Sequence, residues 1–504
     1  MTDHKNLSRR SFISKTASTA ISFSIVPSHV LAKSGKIAPS DKITVANIGC
    51  GTQGLREMGD LLTHERIRVV AVCDPNKMST DYLDWSANGI RSGIQKVLDD
   101  PTWGEGIKGI FGGRDVGQKY VNAYYGKEKD SGSSQGCSSY EDFRELLVKE
   151  EDIDVVKIMT PDHLHATIAI AAMQEGKHVV THKPIANRMY EARKVIDMAN
   201  KTGLKTHLLA WNNRPDYAMV LGWIKEGVIG KLKEIHNWSY RPVWPQFSGI
   251  PKDRPPVPEG FNWDLWLGPV PHIPYHPNYT HNVFRGWYEF GGGSVADMGH
   301  YSLFPLFSAF DIKTPPVSAK AFGTTLRHSE NGVCKWIEND VAFPHSSMIK
   351  LNFPAQEHLP PFDLIWYDGG MKPFAPEELE ADSEEIPTEG MMFVGDQGKI
   401  LAGFRCEEPR IIPKVKMDAY AGQKTTVRGE RQNNNNIWTQ AFFSDEESPG
   451  SFVNASAVTE TINLAAVALR SKKKIQYDAR YMKITNDRDA NRCLYRKYRQ
   501  GWEL

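Results

Sequence analysis

The sequence has few cysteines, almost no net charge and no long apolar run. Its six cysteines form neither a CxxC pair nor a metal-ligand spacing, which excludes a disulfide-stapled scaffold and gives no support for a metal site. Lysine and arginine number 61 against 60 aspartate and glutamate, so no bulk field draws the chain to nucleic acid or to an anionic membrane. No stretch reaches the roughly 20 apolar residues of a membrane span. We therefore expect local recognition of a small molecule.

The N-terminus has the three-part layout of an export signal. Ser8-Arg9-Arg10-Ser11-Phe12-Ile13 fits the twin-arginine pattern, a weakly apolar run covers residues 16–26, and the small-residue site Val30-Leu31-Ala32 follows. We predict a signal peptide over residues 1–32, a linker over 33–41, and a protein exported in folded form to the periplasm or the extracellular side. The alternative is a chance N-terminal helix.

A glycine turn follows the first predicted strand. Ile43-Thr44-Val45-Ala46-Asn47-Ile48 is a short apolar run rich in β-branched residues, which is typical of a buried parallel strand. The next six residues, Gly49-Cys50-Gly51-Thr52-Gln53-Gly54, fit the dinucleotide fingerprint GxGxxG. In that fingerprint Gly49 permits a tight bend, Gly51 lets a pyrophosphate approach the backbone amides, and Gly54 lets the following helix pack on the strand. The positive end of that helix would face the phosphates.

An acidic residue ends the second predicted strand. Arg68-Val69-Val70-Ala71-Val72-Cys73 is followed by Asp74, which stands 20 residues after Gly54. This offset is the one at which a carboxylate meets the adenosine ribose hydroxyls of a dinucleotide. Because a carboxylate there repels a 2′-phosphate, the sequence favours NAD over NADP. The alternative is that Asp74 only caps a loop.

An insertion over about residues 76–138 has no assigned chemistry, and regular alternation of strands and helices resumes with a helix opening at Tyr140. The alternation predicts an α/β fold with a doubly wound parallel sheet, whose ligands gather at the carboxyl ends of the strands. We predict an NAD-binding Rossmann domain over residues 42–210 and a C-terminal domain over 211–504. The segments expected at the ligand-binding edge are Gly49 to Gly54, Asp74, Thr160-Pro161-Asp162-His163-Leu164-His165 and Lys183.

Five motifs, taken in order, resemble one oxidoreductase family. They are the glycine turn, the segment Thr160 to His165, Lys183-Pro184, Trp211-Asn212-Asn213-Arg214 and the glycine-rich run Gly291 to His300. Together they resemble the Gfo/Idh/MocA family (glucose–fructose oxidoreductase and inositol dehydrogenase) from residue 42 to the C-terminus, and within it a twin-arginine-exported branch.

The resemblance implies a fold, a cofactor and a substrate class. It implies a Rossmann domain, a second α/β domain whose largely antiparallel sheet mediates homo-oligomerisation, tightly bound NAD, and oxidation or reduction of sugar hydroxyls. The cofactor residues it implies are those of the glycine turn (Gly49, Gly51, Thr52, Gln53 and Gly54) with Asp74, Thr160, Pro161, His163, His165, Lys183 and Trp211. The substrate residues it implies are Lys183, Arg214, Arg285, Trp287, Asp297 and His300.

Two positions depart from the family pattern. The family has Glu-Lys-Pro where this chain has His182-Lys183-Pro184. Many members also carry a histidine four residues after the aspartate of the glycine-rich helix, whereas this chain has Tyr301 there and His300 one residue earlier.

Oxidising a secondary alcohol needs a base for the hydroxyl proton and a donor that steadies the developing alkoxide. Lys183 suits the donor or a proton relay, and the family resemblance implies a cis Lys183-Pro184 bond. If residues 295–310 are helical, Asp297, His300 and Tyr301 share one face. We favour His300 as the base because imidazole titrates near neutrality, with Asp297 binding a hydroxyl or orienting the ring. Tyr301 is the alternative base.

Aromatic residues crowd the proline-rich segment 238–287. They are Trp238, Trp244, Trp263, Trp266 and Trp287 with Tyr240 and Tyr275. Aromatic rings stack on the apolar faces of sugars, so the segment is either a carbohydrate-binding wall or a loop packed by its own aromatics. Both interpretations stay open.

Three functions fit these residues. The leading one is an exported NAD-dependent oxidoreductase that acts on a sugar or glycoside hydroxyl, with C3 as a candidate position. The second is a redox-neutral NAD-dependent glycosidase, in which oxidation acidifies a neighbouring C–H bond for elimination. The third is a non-catalytic sugar-binding relative, which predicts protein purified without NAD.

Overall fold

In the residues that the structure describes, the N-terminal half contributes eight strands, six of which form one parallel sheet. The computed structural model describes residue 37 and residues 41–84, 86–127, 136–421, 434–444 and 446–504, so the predicted signal peptide and most of the predicted linker lie outside the described residues. The strands are β1 (Ile43–Ile48), β2 (Ile67–Cys73), β3 (Ser79–Tyr82), β4 (Ile110–Gly112), β5 (Ser138–Tyr140), β6 (Val155–Ile158), β7 (His178–Thr181) and β8 (Thr206–Leu208). The sheet runs in the order β5-β2-β1-β6-β7-β8 with parallel pairing, which confirms the predicted fold class.

Helices cover this sheet, because strands such as β6 are buried along their whole length and need apolar cover on both faces. The helices of this half are α1 (Thr52–Thr63), α2 (Gly89–Leu98), α3 (Arg114–Lys127), α4 (Phe143–Lys149), α5 (His165–Gln174) and α6 (Met189–Thr202). Helix α6 ends at Thr202 because Gly203 takes a left-handed conformation with φ 64°.

The insertion is more ordered than the sequence indicates. It holds α2, α3 and the antiparallel pair β3 and β4. The expected helix opening at Tyr140 is wrong: Ser138–Tyr140 is β5, which pairs with β2, and α4 begins at Phe143 after its N-cap Asp142. A strand of sequence Ser-Ser-Tyr has no apolar alternation by which it could be recognised.

The second sheet is largely antiparallel, as the family resemblance implies. The strands of the C-terminal half are β9 (Leu232–Trp238), β10 (Ser318–Gly323), β11 (Arg327–Glu330), β12 (Val333–Trp336), β13 (Ser347–Phe353), β14 (Phe362–Tyr367), β15 (Gly390–Gly395), β16 (Lys399–Ala402), β17 (Arg410–Ile412), β18 (Ile475–Asp478) and β19 (Lys483–Ile484). The order in the second sheet is β17-β16-β15-β9-β14-β13-β10-β18-β19, with β9 and β14 parallel. Strands β11 and β12 form a separate hairpin.

The helices of the C-terminal half join the second sheet to the Rossmann half. They are α7 (Pro215–Lys225), α8 (Trp263–Leu267), α9 (Gly293–Phe310), α10 (Glu377–Ala381), α11 (Lys414–Ala421), α12 (Asn434–Phe443) and α13 (Ser456–Ser471). Helices α9 and α13 belong to one hydrophobic core that reaches both sheets. The chain also returns to the first sheet: Trp438 is fully buried in the Rossmann cluster, and the Phe452 amide donates to Thr206 Oγ1 over 3.0 Å. Among the described residues, no helix has the length and apolarity needed to cross a membrane.

Candidate active site

The centre of the candidate site is a buried ion cluster between the two halves of the fold. Lys183 follows β7 and is 1% exposed, and the Lys183-Pro184 bond is cis, as predicted. Lys183 Nζ donates to Asp297 Oδ1 on α9. Arg285 Nε lies 3.2 Å from the same carboxylate oxygen. Two cations from different segments therefore converge on one carboxylate.

The cluster perturbs both partners of the ion pair. Burial lowers the pKa of Lys183, although the Asp297 carboxylate opposes this shift. Burial pushes the pKa of Asp297 upward, but Lys183 and Arg285 outweigh it and the pKa lies below its ordinary value. The ammonium therefore loses its proton more readily than a surface lysine, while Asp297 stays ionised.

Asp162 is a second carboxyl at this site, to which sequence reasoning assigns no role. It is 2% exposed, and its Oδ2 accepts from the Gly292 amide over 3.2 Å at the start of α9. Its Oδ1 has no hydrogen-bond partner among the described residues. Burial raises the pKa of Asp162, opposed by Arg285. The pKa values of Asp162 and Asp297 are thus shifted in opposite directions.

His300 is fully buried on α9 with one ring nitrogen free. Its Nδ1 lies 3.1 Å from the Ala296 carbonyl oxygen, so Nδ1 carries the proton and donates. Its Nε2 has no partner among the described residues. Burial lowers the pKa of His300 to about 3, so the ring is neutral and offers Nε2 as a hydrogen-bond acceptor.

The two departures from the family pattern touch each other. His182 Nε2 lies 2.9 Å from Tyr301 Oη, across 119 residues of sequence. The Lys183 Nζ lies 5.0 Å and the Arg405 Cζ 4.8 Å from the centroid of the Tyr301 ring. Burial raises the pKa of Tyr301, so the phenol holds its proton at rest.

The glycine turn fits a dinucleotide. Gly49 has φ +102°, and a Cβ there would lie 2.5 Å from the Met159 carbonyl carbon. A Cβ at Gly54 would lie 2.2 Å from the Gly49 oxygen, so only glycine lets α1 pack this closely on the strand. Helix α1 begins without a side-chain cap or an acidic residue in its first turn, which leaves its positive end for phosphate.

The Asp74 carboxylate holds the glycine turn in place. Its Oδ2 accepts from the Cys50 amide over 2.7 Å and its Oδ1 from the Asn76 amide over 2.8 Å. Arg114 Nη1 donates to the Asp74 carbonyl over 3.1 Å. Asp74 therefore has a structural task that the sequence does not reveal, and its ribose contact stays a prediction.

The insertion lies directly over the glycine turn. The Tyr82 ring comes within 3.0 Å of the position a Cβ would take at Gly51, so a larger residue at Gly51 would meet the ring. Thr52 Oγ1 donates to the Leu83 carbonyl over 2.8 Å, and Arg56 pairs with Asp84. We call β3, β4 and residues 83–84 the strap.

Two of the predicted cofactor residues, His163 and His165, have protein partners. His163 Nε2 lies 2.8 Å from the Trp266 carbonyl oxygen. Both ring nitrogens of His165 lie beside carbonyl oxygens, Nε2 at 2.8 Å from that of Thr160 and Nδ1 at 2.5 Å from that of Pro184. These two rings therefore fix the segment that leads into α5.

Trp211 lies away from the ion cluster. Its Nε1 donates to Ser308 Oγ over 3.1 Å. Ser308 stands three turns beyond Asp297 on α9, about 16 Å along the helix axis. The structure therefore does not bring Trp211 together with Lys183 and Asp297.

Arg214 contacts the segment that packs on Tyr301, through Glu407. Its Nη1 donates to Glu407 Oε1 over 3.2 Å, and Glu407 Oε2 accepts from the Arg405 amide over 2.6 Å. Since Arg405 packs over the Tyr301 ring, Arg214 supports that segment through Glu407. Neither Arg405 nor Glu407 has a sequence signal that distinguishes it from other surface charges.

The aromatic segment is packed by its own rings. Its five tryptophans are 0–6% exposed, and Trp287 stacks on Phe247 with a centroid distance of 4.4 Å. Trp263 stacks on Trp266 at 4.8 Å. For these tryptophans the structure favours the loop packed by its own aromatics, and the substrate contact of Trp287 stays a prediction. Among the described residues, no three His, Cys, Asp or Glu side chains meet in a possible metal site.

Buried histidines make the fold sensitive to acid. Burial lowers the pKa of His163, His207 and His300 to about 3, from 6.5. Between these values the unfolded chain binds protons that the folded chain excludes, so the free energy of unfolding falls with falling pH, by about 1.4 kcal/mol per pH unit for each histidine. We expect urea unfolding to show this slope, and His207→Gln to reduce it by one proton. An unchanged slope in the variant would contradict this.

The comparisons with known proteins agree with this geometry. Residues 119–209 match the oxidoreductase family's NAD-binding Rossmann fold, and residues 217–351 and 378–504 match its C-terminal alpha/beta domain. The WlbA dehydrogenase of Chromobacterium violaceum, solved with NADH and UDP-GlcNAcA, has a TM-score of 0.50 at 15% identity, covering 87% of this chain and 97% of that one, which shows a shared fold.

Two curated relatives match parts of the chain. A levoglucosan dehydrogenase of Pseudarthrobacter phenanthrenivorans is 36% identical over 115 residues, 21% of this chain and 29% of that protein. A glycosyl hydrolase family 109 protein of Shewanella baltica is 27% identical over 243 residues, 45% of this chain and 44% of that protein. The matches span less than half the length of these relatives. The family matches, which cover both halves of the fold, show that this chain belongs to the Gfo/Idh/MocA family of NAD-binding oxidoreductases.

Proposed function

We propose that the protein oxidises a secondary hydroxyl of a sugar or glycoside and transfers the hydride to NAD. The proposal rests on the buried cluster of Lys183, Asp297 and Arg285 at the carboxyl edge of the parallel sheet. Nearby polar atoms without partners among the described residues, Asp162 Oδ1 and His300 Nε2, suit a ligand with several hydroxyls. The levoglucosan dehydrogenase relative supports a carbohydrate substrate.

The chain's own side chains would bind and polarise the alcohol. The bound nicotinamide supplies the hydride acceptor. The Lys183 ammonium donates to the substrate oxygen and steadies the developing alkoxide, while Asp297 and Arg285 fix its position. His300 Nε2 accepts from a neighbouring hydroxyl. For the proton acceptor we prefer Tyr301 to His300, because Tyr301 Oη has an imidazole partner at 2.9 Å, His182 Nε2, to which it can pass its own proton.

A substrate panel tests this proposal. The purified protein is incubated with free sugars and glycosides, and the bound nicotinamide is followed by its absorbance while ketosugars are identified by mass. We expect reduction of the nicotinamide by at least one sugar class, and the position of the new carbonyl group tests C3. Absence of reduction across the panel in protein that carries NAD would count against oxidation.

The second candidate is a redox-neutral glycosidase. Asp162 supports it, because a buried carboxyl with a raised pKa can protonate a leaving group. The Shewanella baltica relative carries a glycosyl hydrolase name. Release of free sugar over many turnovers, from glycosides and without added cofactor, supports cleavage, whereas accumulation of a ketoglycoside supports simple oxidation. The third candidate, a non-catalytic binder, requires protein purified without NAD whose ligand affinity survives Lys183→Ala.

We also propose that NAD stays bound between turnovers and is preferred to NADP. The strap supports retention because it covers the glycine turn and is latched to the C-terminal half. His281 Nε2 lies 3.1 Å from Asp81 Oδ1, and the His281 ring lies 3.9 Å from that of Tyr82. The hydrogen bond from His281 lowers the pKa of Asp81 to about 2. Two residues before β3, the Lys77 amide donates a hydrogen bond to the Gly260 carbonyl over 2.8 Å, which also connects this region to the C-terminal half.

Breaking the contact between His281 and Asp81 should speed the release of the cofactor. We expect His281→Ala to speed nucleotide loss during dialysis by about tenfold, the effect of losing one interaction of about 1.4 kcal/mol. His358→Ala is the matched control, because the His358 side chain is 53% exposed. Equal nucleotide retention in the two variants would refute a role of the His281–Asp81 contact in holding the cofactor. The mass of the released nucleotide tests the preference for NAD over NADP.

Export through the twin-arginine route is part of the proposal. Its support is the pattern Ser8-Arg9-Arg10-Ser11-Phe12-Ile13 at the N-terminus. The test is to express the full chain with Arg9 and Arg10 both changed to lysine and to follow it by cell fractionation. The unaltered chain should be found outside the cytoplasm and the variant inside; equal distribution would refute export.

We further propose that copies associate through the second sheet. Phe322 on β10 leaves 53% of its surface exposed, so a substitution there tests this face without disturbing the core. Light scattering of the purified protein tests this. Phe322→Lys should shift the mass toward that of a single chain, and an unaltered protein that is already monomeric would refute the proposal.

A further inference from the structure

The contact between His182 and Tyr301 joins the two positions at which this chain leaves its family's pattern. His182 is the sequence neighbour of Lys183, standing immediately before it, and Tyr301 lies one helical turn after Asp297. The rings lie 6.3 Å apart at 61°, an edge-to-face arrangement that directs Nε2 at the phenolic oxygen.

The surroundings keep His182 neutral. Burial lowers its pKa well below the ordinary value, and Lys183 and Arg285 lower it further. A neutral imidazole can accept the phenolic proton or donate to a phenolate, and it exchanges these roles when a proton passes. The charged and titratable groups that act electrostatically on the pair include Lys183, Arg285, Asp297, Arg405, Glu57, Lys157 and His165.

Tyr301 alone is a poor base, because burial raises its pKa and Asp297 raises it further. A phenol that keeps its proton can accept another only if its own proton leaves at the same time. His182 Nε2 lies within hydrogen-bond distance of the Tyr301 oxygen, at 2.9 Å. The Tyr301 phenol therefore needs its imidazole partner, His182, to accept a proton from the substrate.

We propose that His182 is the positioning residue of Tyr301 and takes up its proton during oxidation, an inference that rests on the proposed function. The substrate O–H bond breaks and its proton forms a new bond to Tyr301 Oη. The proton that Tyr301 held passes to His182 Nε2, which becomes an imidazolium. The hydrogen on the same carbon would leave with its electron pair as hydride, for which a nicotinamide held at the glycine turn would supply the acceptor, and a C=O bond would form. In the reverse direction His182 returns the proton.

Kinetics of four variants test the relay. We expect His182→Ala and Tyr301→Phe each to lower kcat by about 10²-fold with little change in KM, and the double variant to be no slower than Tyr301→Phe. His328→Ala, an exposed histidine on the β11–β12 hairpin, is the matched control. Effects that multiply in the double variant, or an unaltered rate in His182→Ala, would overturn the relay.

A chemical rescue separates a relay from a merely structural role. The space left in His182→Ala should admit imidazole, and added imidazole should restore the rate in proportion to its concentration and to its neutral fraction. His182→Gln, which fills the space but cannot take up the proton, should stay slow. Equal rates for His182→Gln and the unaltered protein would overturn the relay, since a hydrogen bond alone would then suffice.

One measurement that requires no catalysis tests the pairing of His182 and Tyr301 independently of the proposed function. Unfolding of nucleotide-free protein is compared for the two single variants and the double variant, because contacting residues are coupled in such a cycle. Additive effects would overturn the pairing of His182 and Tyr301 whatever the substrate is. Coupled effects in a protein that oxidises no sugar would leave the pair standing and refute the proposed function.

Discussion

Lys183→Met should lower the rate of sugar oxidation by about 10³-fold while the protein keeps its fold and its cofactor. The variant removes the ammonium that faces Asp297 and that we assign to the substrate oxygen, and a loss of this size is typical of a missing donor to a developing oxyanion. The methionine fills most of the same volume. Single-turnover reduction of the bound nicotinamide, followed after mixing with substrate, measures the chemical step directly.

Two control measurements accompany this prediction. Lys201→Met, on an exposed lysine near the end of α6, should keep the full rate. The mass of nucleotide released from Lys183→Met should match that from the unaltered protein. A Lys183→Met protein that carries NAD and oxidises sugar at the ordinary rate would contradict the proposed site.

Arg496→Ala should lower the free energy of unfolding by about 3–5 kcal/mol, the range for breaking a buried ion pair by removing one partner. The Arg496 side chain is 0% exposed and pairs with Glu191 over 2.6 Å, whose side chain is 1% exposed. Its other nitrogens donate to Asn187 Oδ1 over 2.6 Å and to the Glu289 carbonyl over 2.9 Å. The substitution leaves a buried carboxylate without its cation.

The position of Arg496 gives this loss a functional consequence. Asn187 follows the Lys183-Pro184 turn and also donates to the Gly291 carbonyl over 3.2 Å, next to the start of α9. Arg496 thus ties the segment that carries Lys183 to the segment that leads to Asp297. Urea unfolding measures the loss, with Arg492→Ala as control because the Arg492 side chain is 80% exposed. Equal unfolding free energies for the two variants would contradict the account.

Local patterns predict the parallel sheet and the turn because their causes are local. The β-branched run of β1, the glycines after it and the end of α6 at Gly203 each follow from a few neighbouring residues. The same is true of α9, which begins at Gly293 and carries Asp297 and His300 on adjacent turns, whereas the cis Lys183-Pro184 bond is implied by the family resemblance. The chemistry of these residues is visible in the sequence for this reason.

Contacts between distant segments explain what the sequence does not predict. The hydrogen bond between His182 and Tyr301 spans 119 residues, and that from the Gly292 amide to Asp162 spans 130. The tasks of the insertion and of Asp74 depend on where Tyr82 and the Cys50 amide lie in space. The buried state of Trp287 depends on Phe247, 40 positions away along a loop with no periodic pattern. Periodicity carries no information on such pairings.

The nucleotide held by the purified protein tests the central claim most directly. Full-length protein is purified without added cofactor, denatured, and the released small molecules are identified and counted by mass spectrometry. We predict NAD or NADH at close to one per chain, because the glycine turn fits a dinucleotide and the strap covers it. Protein free of nucleotide that also fails to bind added NAD would contradict the account.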